Sequence, residues 1–516
     1  MTQFEEKLLK ENARLTREVE TLQGVVSKLN EELKLAIAAK FGRKSERADS
    51  PHNQEVIEAF EQDSNVAQSS DDEAQRQKEA AKEPEKPRKK SRPKPQLKPE
   101  APVREERVVL EAPDPVCPVC SAQKVTIRRE ETEEIDFVPA HFVRRIYERP
   151  ICACPNCKEQ VTQAVLPDRP IDKSIAGAGL LAHIVVSKTE DHLPLYRQEK
   201  IFERHGLQLS RATMNNWMEK CAFWGQPVAK AQLKEILASG YIQVDETPVK
   251  VLDPQRPGKA SQAWLWVICN PQVGVYFHFA TGRGSEDIKE ILEGYEGILQ
   301  TDGYAVYETL FKLGILNPKK VTHVGCWAHA RREFWKADTV GQSEKAGEII
   351  ALIQQLYRIE KQLADKRDND RKAVRQIKAL PVLEKIKSQI EAYQRDPKTL
   401  PAKQLSKACA YVLKRWDELT AYCHNGCIRI DNNPVENKIR PAALGRKNWL
   451  FIGHPTAGWR TGVFYTLMAN CSVHKVNPFH YMRDFLKAVP AEKNKQIANW
   501  LPGRYERSVK ELSAQR

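Results

Sequence analysis

The sequence predicts a multidomain α+β chain organised around one mixed sheet, and three observations carry that expectation. Between residues 241 and 280 three apolar runs rich in β-branched and aromatic residues follow one another: "YIQVDETPVKVL", "AWLWVICNP" and "VGVYFHFA". Strand and helix patterns then alternate through "SEDIKEILEGY", "GILQTDGYAVYETLFKLG" and "VTHVGCWAHARREFWKA". Residues 340 to 425 are largely helical and charged, with few strand signals, and read as an insertion. Three strands followed by strand–helix alternation fit a ribonuclease H-like α/β core with a helical insertion.

The whole chain sets the bounds. Its 516 residues are enough for about three domains. The net charge of +14 points to a polyanionic partner. The start, "MTQFEEKLLKENARL", is charged throughout and has no apolar signal core. The longest apolar stretch, "IAGAGLLAHIVVS", is too short to span a bilayer and carries His183, so no membrane partner is expected. Twelve cysteines suggest disulfides at first, but five of them crowd into residues 117 to 157. In a reducing cytoplasm, clustered thiols favour a metal.

Taken in order, residues 1–47 form a coiled-coil dimerisation helix. Leu8, Leu15, Leu22 and Leu29 recur every seven residues, Val19, Val26 and Leu33 fill the complementary core positions, and Asn12 falls in that second register. A polar core Asn selects a parallel dimer. Residues 48–104 are charged, proline-rich and poor in apolar side chains, which makes them a linker. Its "KPRKKSRPKP" half can touch phosphates nonspecifically. Residues 105–170 hold two C-x-x-C pairs, Cys117 with Cys120 and Cys154 with Cys157, with Cys152 as a spare thiol or a substitute ligand. Four thiolates close a tetrahedral structural Zn²⁺ site and replace a core too small to hold itself.

Residues 171–236 read as a helix-turn-helix. Tyr196 to Arg204 is a helical pattern stopped by Gly206, and Ser210 is placed to cap a second helix carrying Arg211, Asn215, Asn216 and Trp217. The second helix of such a unit enters a major groove. The sheet core occupies 237–338 and 427–475, interrupted by the helical insertion 339–426. A C-terminal helical tail, 476–516, completes the chain.

Asp245 stands in the middle of a buried run with a bend expected at Pro248. A carboxylate there costs several kcal/mol, roughly, unless it is paired or holds a cation. Asp302 ends the fourth strand. First and fourth strands are neighbours in this layout, so the two acids can share a cation. Glu436 follows "DNNP": Asn433 can cap, Pro434 suits the first helical position, and Glu436 lies in the first turn. From spacing alone it is either a metal ligand or one half of a capping arrangement. Glu246 should point to the opposite face of the strand, and Asp431 is placed to cap. Cys326 and His329, one turn apart in "CWAH", read as packing and hydrogen-bonding residues. Trp327 and Trp449 read as core, with stacking on a frayed base as the other option, and "CHNGC" at 423 to 427 has only a superficial ligand look.

Read together, "QVDETPVKV", "LQTDGYAVYE", "GCWAHARREFW" and "DNNPVENKIRPAALGRKNWLF" closely resemble the insertion sequence 66 family of bacterial DDE transposases. The resemblance continues at "FGRKSER", "DHLPLYRQEKIFERHGLQLSRATMNNW" and "NPFHYMRDFL". It departs at the additional Cys152 and at "NWLPGRYERS", which lacks a tryptophan near Gly503. It implies that Asp245, Asp302 and Glu436 are the catalytic triad and bind two Mg²⁺ or Mn²⁺ ions. It also implies DNA partners, both element ends and target, with a homo-oligomer of at least two protomers. Members of that family are often encoded beside small accessory proteins. A bacterial, nucleoid-associated protein follows. Arg331, Arg332, Arg440, Arg446 and Lys447 are expected to grip phosphates near the metals, and Arg211, Asn215 and Asn216 to read DNA from the second helix. The alternative function is a zinc-containing, sequence-specific DNA-binding regulator derived from a transposase.

Overall fold

A computed structural model describes residues 14, 15, 21, 142–148, 151–153, 161–163, 166–253, 259–339, 343–396, 404–491 and 499–505. The linker, the four expected zinc ligands and all but three residues of the expected coiled coil lie outside them. The chain divides into two units, Asn65–Arg144 and the remainder, Met1–Ser64 with Arg145–Arg516. All elements named below lie in the second.

A short antiparallel hairpin, β1 (Ile151–Ala153) with β2 (Val161–Gln163), comes first. Three helices follow: α1 (Ala178–Thr189), α2 (Leu195–Arg204) and α3 (Arg211–Ala238). Gly206, at φ +82°, takes the left-handed turn that ends α2. Ser210 caps α3, its Oγ accepting from the Thr213 amide at 3.2 Å. Replacing Ser210 with Ala should lower stability by about 1 kcal/mol, read as a lower urea midpoint at unchanged slope. α3 is far longer than the polar second helix alone required. It runs 28 residues, through Pro227, because Val228, Ala229 and Ile236 continue its buried face.

Next comes a meander of β3 (Tyr241–Leu252), β4 (Ala260–Asn270) and β5 (Gly274–Ala280). α4 (Ser285–Leu292) leads to β6 (Gly297–Gln300), and α5 (Ala305–Lys312) to β7 (Val321–Val324). The order is β5-β4-β3-β6-β7, with β3, β6 and β7 parallel and the other pairs antiparallel. Both faces are covered, which is why the strands read as near-continuous apolar runs. Ile242 and Val244 face a core with Trp266, Leu292 and Tyr307, whereas Val249 and Val251 face one with Val267, Val435 and Ala442.

The expected bend does not interrupt β3 at Pro248, which stays in register opposite Trp264. β6 pairs only with Tyr241 to Gln243, so the far edge of β3 is open beyond that point. The Lys250 carbonyl and Leu252 amide point to this edge, where they bond Ile452. Pro248 shares their parity, and its missing N–H costs no ladder bond.

The insertion follows α6 (Trp327–Thr339). It comprises α7 (Glu344–Gln362), α8 (Asp368–Val374), a π turn over Arg375–Ala379, α9 (Leu380–Arg395), α10 (Gln404–Lys414) and α11 (Trp416–Thr420). Ile349, Ile353, Leu383, Ile386 and Val412 form its core with Trp327 and Phe334 of α6. Arg375 is fully buried. Its guanidinium bonds both Glu360 oxygens, at 2.8 and 2.6 Å, and donates to the Tyr422, Asn425 and Ile428 carbonyls, each at 2.9 Å. It therefore fixes the path by which the chain returns to the sheet.

That return leads into α12 (Asn433–Trp449), α13 (Gly458–Val473) and α14 (Pro478–Ala488). α13 covers the edge strand β5. Asn470 exchanges bonds with both backbone groups of Val275, and Thr466 Oγ1 accepts from the Phe277 amide. α14, Trp500 and Leu501 of the tail join α1 and α3 in one core. Among the described residues no helix is long and apolar enough to cross a membrane.

Candidate active site

β3 and β6 are parallel neighbours with Gln243 opposite Gln300. Asp245 and Asp302 each stand two residues further on. Asp302 is past the last residue of β6 rather than on it, with its Oδ1 accepting from the Tyr304 amide at 2.8 Å and its carbonyl bonded by Tyr411 at 2.7 Å. Asp245 Oδ1 accepts from the Glu246 amide at 2.8 Å. Glu436 lies in the first turn of α12, on the sheet face that Asp245 shares with Val249 and Val251.

The cap of α12 differs by one residue from the expectation. Asn432, not Asn433, precedes the helix, and it supplies no side-chain cap. Asp431 does this work instead, its Oδ1 accepting from the Asn433 amide at 3.2 Å. Glu436 is therefore not held in a reciprocal capping pair. Its Oε1 lies 3.7 Å from His329 Nε2 and its Oε2 4.0 Å from Arg332.

Charge is unbalanced here. Burial pushes the Asp245 carboxyl up to about 8, and the negative charges of Glu246, Asp302 and Glu436 add to that rise. His329 is pushed below its ordinary value by burial and by Arg332, with Glu436 and Asp302 opposing. Glu246 is neutralised on its own face by Arg283, at 2.5 and 2.7 Å. Arg283 stacks in turn over Tyr304 and Trp264. Three half-buried carboxyl groups are a hard-oxygen donor set suited to Mg²⁺. As the side chains stand, however, no three His, Cys, Asp or Glu groups among the described residues gather closely enough to hold a metal ion.

Sequence reasoning missed what positions Glu436. Gln243 Nε2 donates to Gln300 Oε1, Tyr241 Oη and the Asp431 carbonyl, at 2.8, 2.9 and 3.0 Å, and its Oε1 accepts from the Val435 amide at 3.2 Å. Gln300 Nε2 donates to the Arg429 and Gly325 carbonyls. The two glutamines thus stitch segment 429–435 onto the strands that bear the aspartates. The signal was present as a repeated Q-x-D, in "QVD" and "QTD".

The remaining expected contact residues divide. Arg440, Lys447, Asn215 and Asn216 are exposed, and Arg332 is half-exposed. Arg211 is exposed but pairs with Glu199. Arg331 is a correction: it is buried, at 7% exposure, on the face of α6 that meets the insertion, and offers no accessible guanidinium to a phosphate. Arg446 is half-buried and bonds the Pro248 carbonyl and Thr247 Oγ1, so it is committed to the open edge of β3. Trp327 is core, its Nε1 donating to the Leu419 carbonyl. Cys326 is buried and accepts from the Asn432 amide. Cys423 and Cys427 are free thiols.

A family model described as Transposase IS66 family matches residues 173–460. The chain belongs to that family. The matched span of this IS66-family chain includes Asp245, Asp302 and Glu436 and all of the helical insertion. It is 33% identical over 392 residues to Uncharacterized protein y4jD of Sinorhizobium fredii (strain NBRC 101917 / NGR234), covering 74% of this chain and 76% of that one. Uncharacterized protein y4qI of the same strain is also 33% identical, over 393 residues, covering 73% and 72%. No solved structure matches this IS66-family chain.

Proposed function

We propose that this chain is a DDE transposase that binds the terminal inverted repeats of an insertion sequence, frees 3′ hydroxyls at its ends and joins them to target DNA. The observation that supports the reading is the parallel register that sets Asp245 and Asp302 each two residues beyond the paired Gln243 and Gln300, with the segment leading into Glu436 bonded to both glutamines. Three antiparallel strands extended by two parallel ones support a ribonuclease H-like core.

Asp245, Asp302 and Glu436 would hold two Mg²⁺ ions. Such ions would supply activation of an attacking oxygen and stabilisation of a leaving one. Asp245 would have to be ionised to serve as a ligand, and Glu436 stands beside His329 and Arg332. Arg332 and Arg440 hold DNA phosphates near the acids, and Lys447 holds one further along α12. α2 and α3 supply the helix-turn-helix that reads the ends, with Asn215 and Asn216 toward the bases. Cys117, Cys120, Cys154 and Cys157 hold structural Zn²⁺, and the N-terminal heptads pair two or more protomers so that both ends are processed together.

The test uses purified full-length protein and labelled duplexes ending at the terminus of the encoding element. Nicks at the 3′ end of the element are expected with Mg²⁺ and none with EDTA. End binding without nicking in either Mg²⁺ or Mn²⁺ would replace this reading with the zinc-containing DNA-binding regulator.

A further inference from the structure

A second concavity lies at the far end of α12. Its volume is about 140 Å³, and Trp449, Phe451, Phe464 and Tyr465 line it together with Lys188 and Arg460. A cavity of roughly 150 Å³ holds one benzene-sized ring, so this one takes a single planar base and no sugar. Its two cations are incompletely satisfied. Arg460 bonds Glu219 through one terminal nitrogen, at 2.7 Å, while its buried Nε has no partner. The Lys188 amine is pushed down to about 8 by burial, with no carboxylate opposing the shift. Both can donate to the carbonyl and ring-nitrogen acceptors of a base.

The turn that follows α12, next to the lining residues Trp449 and Phe451, is unusual in a different way. Leu450 takes φ +63°, a conformation in which a leucine is strained, and is 60% exposed; Phe451 beside it is 42% exposed. The turn is held in place by the two backbone bonds of Ile452 to the open edge of β3, the strand that carries Asp245. Exposed Lys447 and Arg440 lie on the same helix. An exposed apolar pair on a strained turn that follows a helix bearing exposed cations matches the wedges that nucleic-acid-binding proteins insert between base steps. Asn215 of α3 lines the same cavity, so the helix expected to read DNA and the helix bearing Glu436 meet there.

We propose that Leu450 and Phe451 unstack a base step near the DNA end and that the adjoining cavity receives one extruded base. The proposal rests on the transposase reading above. Trp449 is 13 residues from Glu436 on one helix, about 20 Å at 1.5 Å per residue. The cavity is thus set well away from Glu436, so the extruded base is not the one at the cut. Aromatic stacking tolerates any base, so the pocket reports deformability more than sequence.

The experiment places 2-aminopurine singly at each of the terminal base pairs of the element-end duplex and reads fluorescence with the full-length protein. The position beside the wedge should brighten severalfold as it loses its stacking neighbour, whereas a 2-aminopurine seated against Trp449 and Tyr465 is quenched by those rings. Leu450→Gly removes the wedge while suiting the left-handed turn, so it should melt at or above the parent temperature and lose the signal. Phe451→Ala should lose it too and bind the same end about tenfold more weakly, as expected for the loss of one base–aromatic stack. If the ends are bound and nicked with Mg²⁺ but no position brightens, or if Leu450→Gly brightens like the parent, the wedge is overturned and the transposase reading stands. If the ends are neither bound nor nicked, both fall.

Discussion

Asp245→Asn should unfold at a higher temperature than the parent protein in EDTA at pH 8, and should cut no DNA. The two outcomes share one cause. The Asp245 carboxyl ordinarily titrates near 3.8 but is pushed up to about 8 in the fold, by burial first and then by Glu246 and Asp302. Between those values the folded chain keeps a proton that the unfolded chain has released. Stability therefore falls as pH rises from about 4 to about 8, at up to about 1.4 kcal/mol per pH unit from this one group. Asparagine carries no such penalty, so the gain in melting temperature should reach at least about 3 °C at pH 8 and vanish near pH 4. The same linkage predicts that Mg²⁺ stabilises the parent more at pH 8 than at pH 6, because binding must displace that proton, and stabilises Asp245→Asn little at either pH. Differential scanning calorimetry at the two pH values, with and without Mg²⁺, reads all of this. A variant no more stable than the parent at pH 8 would mean that the Asp245 charge carries no burial or repulsion penalty in the fold.

Gln243→Leu should lose both stability and metal response. The substitution keeps the volume of the side chain but strands the Asp431 carbonyl in a dry interior, leaves the Val435 amide only its bond to the Asn432 carbonyl, and removes a donor from Gln300. An unsatisfied buried group costs about 1–3 kcal/mol and a lost buried hydrogen bond about 1 kcal/mol, so a total near 2–4 kcal/mol is expected from urea unfolding. The Val435 amide is one residue from Glu436. Once it is released, the first turn of α12 is no longer anchored to the strand bearing Asp245, and Mg²⁺-dependent stabilisation should drop along with cleavage. Gln243→Glu serves as the contrast. It retains the acceptor for Val435 but not the donors, so it should keep more of the metal response than leucine does. A Gln243→Leu protein that melts lower yet responds to Mg²⁺ like the parent would confine this residue to a purely structural role.

Much of the layout was legible because its signals are local. Buried strands announce themselves as apolar runs, and "YIQVDETPVKVL" maps onto β3 residue for residue. Ser210 caps where a serine before a helical pattern should. Asp245 was conspicuous as a charge in an apolar strand. What stayed hidden is non-local. Arg331 resembles its neighbour Arg332 in the sequence, and only the packing of the insertion against α6 buries one and leaves the other half-exposed. Arg446 looked like a free cation until the open edge of β3 supplied it a carbonyl. The paired glutamines carry no charge to attract notice, and their meaning depends on a parallel register that no single stretch of chain reveals.

The chain segment from 422 to 428 is clamped by Arg375, which lies inside the insertion. Asp245 and Asp302 leave the ribosome well before Glu436, and between them comes a helical block that must fold before the clamp can close. A nascent chain that has not yet reached residue 436 therefore carries two of the three proposed acids and no closed clamp.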